Sequence, residues 1–238
     1  MHFSEFEGKI VLITGAAGGF GSALCSAFAE NGAVVHGTDV RKADIKHFHT
    51  GDIGDAAFLK RMVDSIVQES GTIDILINNA GICPRVPFDR ITLDEWQKVL
   101  HVNLTSIFVL SQLVLPRFIE NKQGAIVNLA SLAGQVGGIA VGAHYSASKA
   151  AIQSLTKTLA RIGGPHGVRV NAAAPGIIDT AITREAAPGQ IVEFERTIPL
   201  QRLGRAQEVV APILFLASDA ASYITGATLD INGGLRMN

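Results

Sequence analysis

The sequence predicts an α/β fold built on one doubly wound parallel sheet, with helices on both faces, over residues 1–238. Three observations predict it. Short, unbroken apolar runs recur along the chain, as strands covered on both faces require. Segments of helical period and length alternate with them, the order that lays strands parallel. A glycine-rich turn directly follows the first run, at the place where such sheets open their first helix.

Taken in order, residues 9–14 (Lys-Ile-Val-Leu-Ile-Thr) form the first buried strand. The turn Thr14-Gly15-Ala16-Ala17-Gly18-Gly19-Phe20-Gly21 leads into a helix with Leu24, Ala27 and Phe28 on one side. Residues 33–38 form a second strand that ends at Asp39. Further strands fall at 73–77, 125–129, 168–172 and 228–231, and helical patterns at 56–69, 93–120, 145–162 and 206–217. Only twelve residues separate Asp39 from Asp52, so the helix between the second and third strands is short or absent. Gly163 and Gly164 supply a helix stop. Residues 177–199 are irregular and long for a connection, which suits a substrate loop. No linker or repeat divides the chain, so it reads as one domain.

Composition excludes several classes. With 47% hydrophobic residues, 17% charged and a formal net charge of -1, nothing points to nucleic acid or to an anionic membrane. No apolar run reaches the length of a membrane span. The first residues lack the basic-then-apolar order of a signal peptide. Cys25 and Cys83, the two cysteines, have neither metal-ligand nor redox spacing. A cytoplasmic protein is expected.

Two constellations carry chemistry. In the turn, Gly15 permits the tight bend, while Gly18, Gly19 and Gly21 let backbone approach a ligand and let the helix pack on the sheet. The positive end of that helix then faces a pyrophosphate. Asp39, closing the second strand, accepts ribose hydroxyls and repels a 2′-phosphate, which favours NAD over NADP; Val40 supplies no cation there, and Arg41 reads as an adenine flank or a solvated side chain. The second constellation is Tyr145 and Lys149, at i and i+4 on one helix face. A nearby ammonium favours phenolate and pulls down a phenol pKa of about 10, giving an acid/base pair for an alcohol proton. His144, pointing elsewhere than Tyr145, reads as packing or interface.

In these residues the chain resembles the short-chain dehydrogenase/reductase family over nearly its whole length. The Thr14–Gly21 turn resembles its cofactor motif, with Phe20 standing where a smaller aliphatic residue is usual and set to press on the cofactor or the core. Asp52-Ile53 resembles its adenine contact, and Asn78-Asn79-Ala80-Gly81 its central-strand motif. Asn103, Ser131 and the run from Tyr145 to Lys149 match its catalytic set; Pro175-Gly176, with Ile178 and Thr180, matches its nicotinamide-side loop. The ending from Tyr223-Ile224-Thr225-Gly226 to Asn232-Gly233-Gly234 is also similar. The resemblance implies a Rossmann fold and a nicotinamide cofactor that carries the hydride. Tyr145 then exchanges the proton, Lys149 lowers the tyrosine pKa and holds the nicotinamide ribose, Ser131 donates to the substrate oxygen, and Asn103 holds a water behind Lys149. No metal is required, since two hydroxyl donors polarise the oxygen. Taken singly, Ser131 equally ends a strand and Asn103 equally bonds backbone.

Substrate choice falls to residues 83–88, 132–139 and 177–199, with Ser131, Ala133, Gln135, Tyr145 and Gly176 against the substrate. These stretches are mostly apolar, so a secondary alcohol or ketone fits; Arg85 or Arg184 turned inward would suit a carboxylate or phosphate. The leading reading is an NAD-dependent oxidoreductase interconverting a secondary alcohol and a ketone. The C-terminal third is also similar to 3-oxoacyl-carrier-protein reductases, which implies NADPH, and a non-catalytic dinucleotide-binding regulator is the alternative from another class. Long helices like those at 93–120 and 145–162 imply, through the resemblance, a homotetramer or homodimer.

Overall fold

The computed structural model describes residues 3–138, 141–180, 183–184, 189 and 191–237. Among these, seven strands form one sheet: β1 (Ile10–Thr14), β2 (Val34–Asp39), β3 (His47–Thr50), β4 (Ile75–Asn78), β5 (Gly124–Leu129), β6 (Val168–Pro175) and β7 (Thr228–Ile231). Their order is β3-β2-β1-β4-β5-β6-β7, and every pairing is parallel. The chain winds outward from β1 to β3, returns to β4 beside β1, and winds the other way to β7. The switch between β1 and β4 opens a crevice at the carboxyl ends of the strands, where this architecture binds ligands.

The helices are α1 (Phe20–Glu30), α2 (Ala56–Ser70), α3 (Leu93–Leu100), α4 (Ser106–Asn121), α5 (Ala133–Val136), α6 (Ala143–Gly163), α7 (Ile191–Thr197) and α8 (Ala206–Ala217). Alternate strand residues go to opposite faces. Val11 and Ile13 pack with Leu24 and Phe28 of α1 and Val209 and Ile213 of α8. Leu12 and Leu76 pack with Leu59 and Ile66 of α2 and Leu110 and Phe118 of α4. Both faces being covered, β1 is buried at every position, which is why it reads as an unbroken apolar run.

Three elements depart from the sequence expectation. β3, His-Phe-His-Thr, is an additional strand at the sheet edge, half-buried and therefore without an apolar run. The connection from β2 to β3 contains no helix, as the short spacing predicts. Helix α7 lies within the stretch read as an irregular loop; Ile139 and residues 181–182, 185–188 and 190, which belong to the expected substrate regions, lie outside the described residues. Gly164 is not the left-handed stop: it stays in right-handed geometry, and the chain turns at Gly167, at φ +76°.

One sequence statement is corrected. Leu93–Asn121 is a continuous helix of 29 residues, with an 18-residue stretch of mean hydropathy 1.6, long and apolar enough by length and composition to cross a membrane. Here its apolar side is core: Ile107, Leu110, Val114, Leu115 and Phe118 are buried against the sheet and its neighbouring helices. Within it, residues His101–Thr105 form a single wide π turn between α3 and α4.

Candidate active site

The phosphate turn is built by close approach. Gly15 sits at φ +67°, and a Cβ there would lie 2.8 Å from the Ala80 Cα. At Gly21 a Cβ would collide with the Gly15 carbonyl oxygen, so neither position accepts another residue without reshaping the turn. Gly19, at φ +54°, begins α1 with no side-chain cap and with open space beside it. The positive end of α1 is thus presented bare to the crevice, a cradle that fits a pyrophosphate. Phe20 is partly buried and packs against the hydrophobic core, one of the two places the sequence offers it.

Asn79, expected at the cofactor, braces the phosphate turn. Its Nδ2 donates to the carbonyls of Thr14 at 2.9 Å and Gly15 at 3.2 Å. In return the Thr14 hydroxyl accepts the N–H groups of Asn79 and Ala80, at 3.1 and 3.0 Å. The pair locks the end of β4 to the turn; Thr14 has a role that its position at a strand end did not signal.

Asp39 ends β2 where the ribose contact is expected. Its Oδ2 accepts the Ala17 N–H at 3.1 Å and its Oδ1 the Arg41 N–H at 2.9 Å. Arg41 is exposed, as a solvated side chain would be, yet its Nε stands 3.7 Å from Asp39 and its guanidinium lies over Gly18. Val40 is exposed. Asp52 accepts the Gly54 N–H at 2.8 Å, shaping the turn after β3, with Ile53 buried behind it.

On the other side of the crevice, α6 carries Tyr145 and Lys149 inward. The Ser131 hydroxyl is close enough to the Tyr145 phenol to favour its ionised form, and it accepts the Ala133 N–H at 3.1 Å. Lys149 is buried; its Nζ donates to the Leu129 carbonyl at 2.5 Å and lies 5.7 Å from the Tyr145 ring centroid. In the protein alone, burial rather than Lys149 sets the phenol. Burial dominates both groups, pushing the phenol up to about 12 and the ammonium down to about 8. Cys83 is within electrostatic reach of both, and burial pushes its own thiol up, so it is held as the neutral thiol.

Asn103 lies in the π turn and is fully buried. Its Oδ1 accepts the Ile82 N–H at 2.8 Å; its Nδ2 donates to the Ile82 carbonyl at 2.9 Å and to Ser148 Oγ at 3.1 Å. Ser148 in turn donates to the Tyr145 carbonyl at 2.7 Å. Asn103 therefore bonds backbone outside its own helix and ties the segment after β4 to α6. Replacing it with leucine, of similar size, is expected to strip both Ile82 groups of their partners, at about 1–3 kcal/mol each. Chemical denaturation would read that loss as a lower midpoint. Gly81 leaves the space here: a Cβ would come 3.2 Å from Asn103 Oδ1 and 3.6 Å from Lys149 Nζ.

The substrate side is partly as read. Ala133 opens α5 beside Ser131, and Gly176 follows Pro175 at the end of β6, packed against Asn232. Gln135 donates its Nε2 to Asp230 at 2.7 Å, where Arg236 also pairs at 2.7 Å, while its Oε1 is buried without a partner among the described residues. Ile178 is buried in the core and bridges Gly204. The Thr180 hydroxyl meets Thr183 at 3.1 Å. Arg184 does not turn inward as a free cation; it grips Asp179 through two bonds of 2.6 and 2.7 Å. His144 is fully buried, as a packing role requires, and its Nδ1 accepts the Tyr145 N–H at 2.9 Å.

A dinucleotide cradle at a switch point, with a phenol, a hydroxyl and an ammonium across the crevice, is the equipment of a nicotinamide-dependent oxidoreductase. Residues 15–236 match a family model described as enoyl-(acyl carrier protein) reductase. The chain is 39% identical over 245 residues to the 3-oxoacyl-[acyl-carrier-protein] reductase FabG of Thermotoga maritima, covering 97% of this chain and 99% of that protein. It is 38% identical over 243 residues to FabG of Escherichia coli, covering 98% and 99%. Among solved structures, the aldohexose dehydrogenase of Thermoplasma acidophilum superposes with a TM-score of 0.92 at 32% identity, covering 98% of this chain and 96% of that one. A short-chain dehydrogenase of Leptospira borgpetersenii with bound NAD+ superposes with a TM-score of 0.90 at 32% identity, covering 100% and 96%. The chain belongs to the short-chain dehydrogenase/reductase family and is an NAD(P)-binding oxidoreductase of that family.

Proposed function

We propose that this protein reduces the ketone of a 3-oxoacyl thioester to the secondary alcohol, with Tyr145 as proton donor. The observation that carries the reading is the Ser131–Tyr145–Lys149 arrangement in a chain related over its full length to reductases of that substrate class. The nicotinamide cofactor, when bound, supplies the hydride. The Ser131 hydroxyl and Tyr145 phenol hold the carbonyl oxygen between two donors, and the phenol gives its proton as negative charge develops there. Burial favours the step in this direction, because a phenol pushed up to about 12 keeps its proton at neutral pH. Lys149, its ammonium anchored on Leu129, places positive charge beneath the phenol and within reach of a nicotinamide ribose.

For the cofactor we propose NADH. Asp39 is the supporting observation: its carboxylate faces the turn where a 2′-phosphate would sit, and the Arg41 guanidinium beside it is engaged. Asp39→Ala is expected to remove the repulsion and free Arg41 for a phosphate. The ratio of kcat/KM for NADH over NADPH should then fall about tenfold or more, in line with Coulomb energies of a few kcal/mol at such distances. An unchanged ratio would count against the carboxylate as the selector.

A second reading, an NAD-dependent dehydrogenase of sugar-like or other secondary alcohols, is favoured by the same Asp39 and by the likeness to an aldohexose dehydrogenase. A panel of 3-oxoacyl thioesters, ketones, aldohexoses and secondary alcohols, followed by nicotinamide absorbance with each cofactor, separates the two. The thioester reading predicts its highest kcat/KM on the 3-oxoacyl compounds. Preference for an aldohexose would replace it with the second.

A further inference from the structure

Away from the crevice, β2 and β3 bring three imidazoles to one face of the sheet edge. His36 lies opposite His47 across the ladder, and His49, two residues on, shares its side. The His36 ring centroid is 4.7 Å from that of His47 and 5.5 Å from that of His49. The C-terminal turn of α2 covers them with Glu69 and Ser70. Glu69 Oε1 stands 2.7 Å from His47 Nδ1, His36 Nε2 3.1 Å from Ser70 Oγ, and His36 Nδ1 3.2 Å from His49 Nε2. The ligating atoms of His36, His47 and Glu69 all lie within 4.8 Å of one another.

We propose that His36, His47 and Glu69 form a binding site for one zinc(II) ion, with His49 or Ser70, whichever faces the nitrogen that does not ligate, positioning the His36 ring. Two imidazoles and a carboxylate, with a fourth position left for water, are an established zinc donor set. Tetrahedral zinc with bonds near 2.0–2.1 Å spaces its ligand atoms by about 3.3 Å, so the cluster needs only small rotations. Those rotations are available, because the side chains of His47 and Glu69 are 20% and 48% exposed while His36 is fixed in the interior. The same exposure gives the ion a path in. Whichever ring nitrogen of His36 ligates, the other has a partner in His49 or Ser70 that sets its tautomer, the support that metal-bound imidazoles usually have. A bound ion would staple the short edge strand β3 to the end of α2, and so steady the segment that continues into Asp52 and Ile53.

The test uses the full chain, stripped with a chelator and then titrated with zinc chloride. Calorimetry is expected to show one zinc per chain, with a rise in Tm on saturation. In His47→Asn and Glu69→Gln, both altering partly exposed side chains, affinity should fall at least tenfold and the Tm rise should vanish, while NADH binding persists. Failure of the unaltered protein to bind zinc, or binding and a Tm rise unchanged in both variants, would overturn the site.

Discussion

Tyr145→Phe is expected to lower turnover by about 10²–10⁴-fold, the range that a positioned acid/base group contributes. The ring of the variant fills the same buried space on α6, and only the hydroxyl is lost. Ser131 loses its phenolic neighbour but keeps the Ala133 N–H, so the local backbone has no cause to move. The phosphate turn, Asp39 and the Asn79–Thr14 lock belong to other elements and remain intact. Steady-state kinetics should therefore show a collapse of kcat with dinucleotide affinity preserved. Parallel losses of affinity and turnover would mean that the phenol is a binding group rather than the proton donor.

Lys149→Met is expected to lower turnover and raise stability together. The native ammonium is buried, and its fall from 10.5 to about 8 corresponds to about 3 kcal/mol of penalty for carrying charge in the interior. Methionine fills similar space without charge and forgoes one charged hydrogen bond to Leu129, worth about 1.5–3 kcal/mol. Because the folded-state value lies below the unfolded one, the penalty is complete below about 8. From there to about 10.5 the native lysine gives up a proton that the unfolded chain still holds, so the unaltered protein gains stability with pH. Thermal melts should show the variant ahead at neutral pH and the gap closing through that window. A variant less stable than the parent at neutral pH would show that Lys149 is a net contributor to the fold, contrary to this account.

Much of the fold is visible in the sequence because the sheet is covered on both faces. β1, β4 and β5 have no solvent side to interrupt them with polar residues, so they appear as plain apolar runs. β3 escapes the same reading for the opposite reason: an edge strand pairs on one side only and is half-buried, and its histidines break the pattern. The histidine cluster is equally hidden, since the eleven-residue separation of His36 and His47 acquires meaning only through their pairing across the ladder. At the site, the i, i+4 spacing of Tyr145 and Lys149 is a local helix property and is legible. Their electrostatics are not, because burial, a tertiary quantity, is the largest influence on both groups. Long-range partners are hidden in the same way: Asn103 on Ile82, Gln135 on Asp230, and Asn79 on Thr14. Asn78 and Asn128 sit side by side in adjoining central strands, joined at 2.8 Å and continued to Thr156 at 2.9 Å, a buried polar line to α6 that the motif alone does not reveal.

The central claim is that the Tyr145 hydroxyl stands where a nicotinamide ring controls its proton. The chain has two tyrosines, so Tyr223→Phe, at a fully exposed position, leaves Tyr145 as the sole phenol to absorb as phenolate. At a pH of about 10, where a free phenol is half-ionised, the protein alone should show almost no phenolate, its Tyr145 being held up to about 12 by burial. Adding the oxidised dinucleotide, whose ring is cationic, should generate the phenolate band at that same pH. A phenol half-ionised without dinucleotide, or one that stays silent when the dinucleotide is bound, would contradict the account.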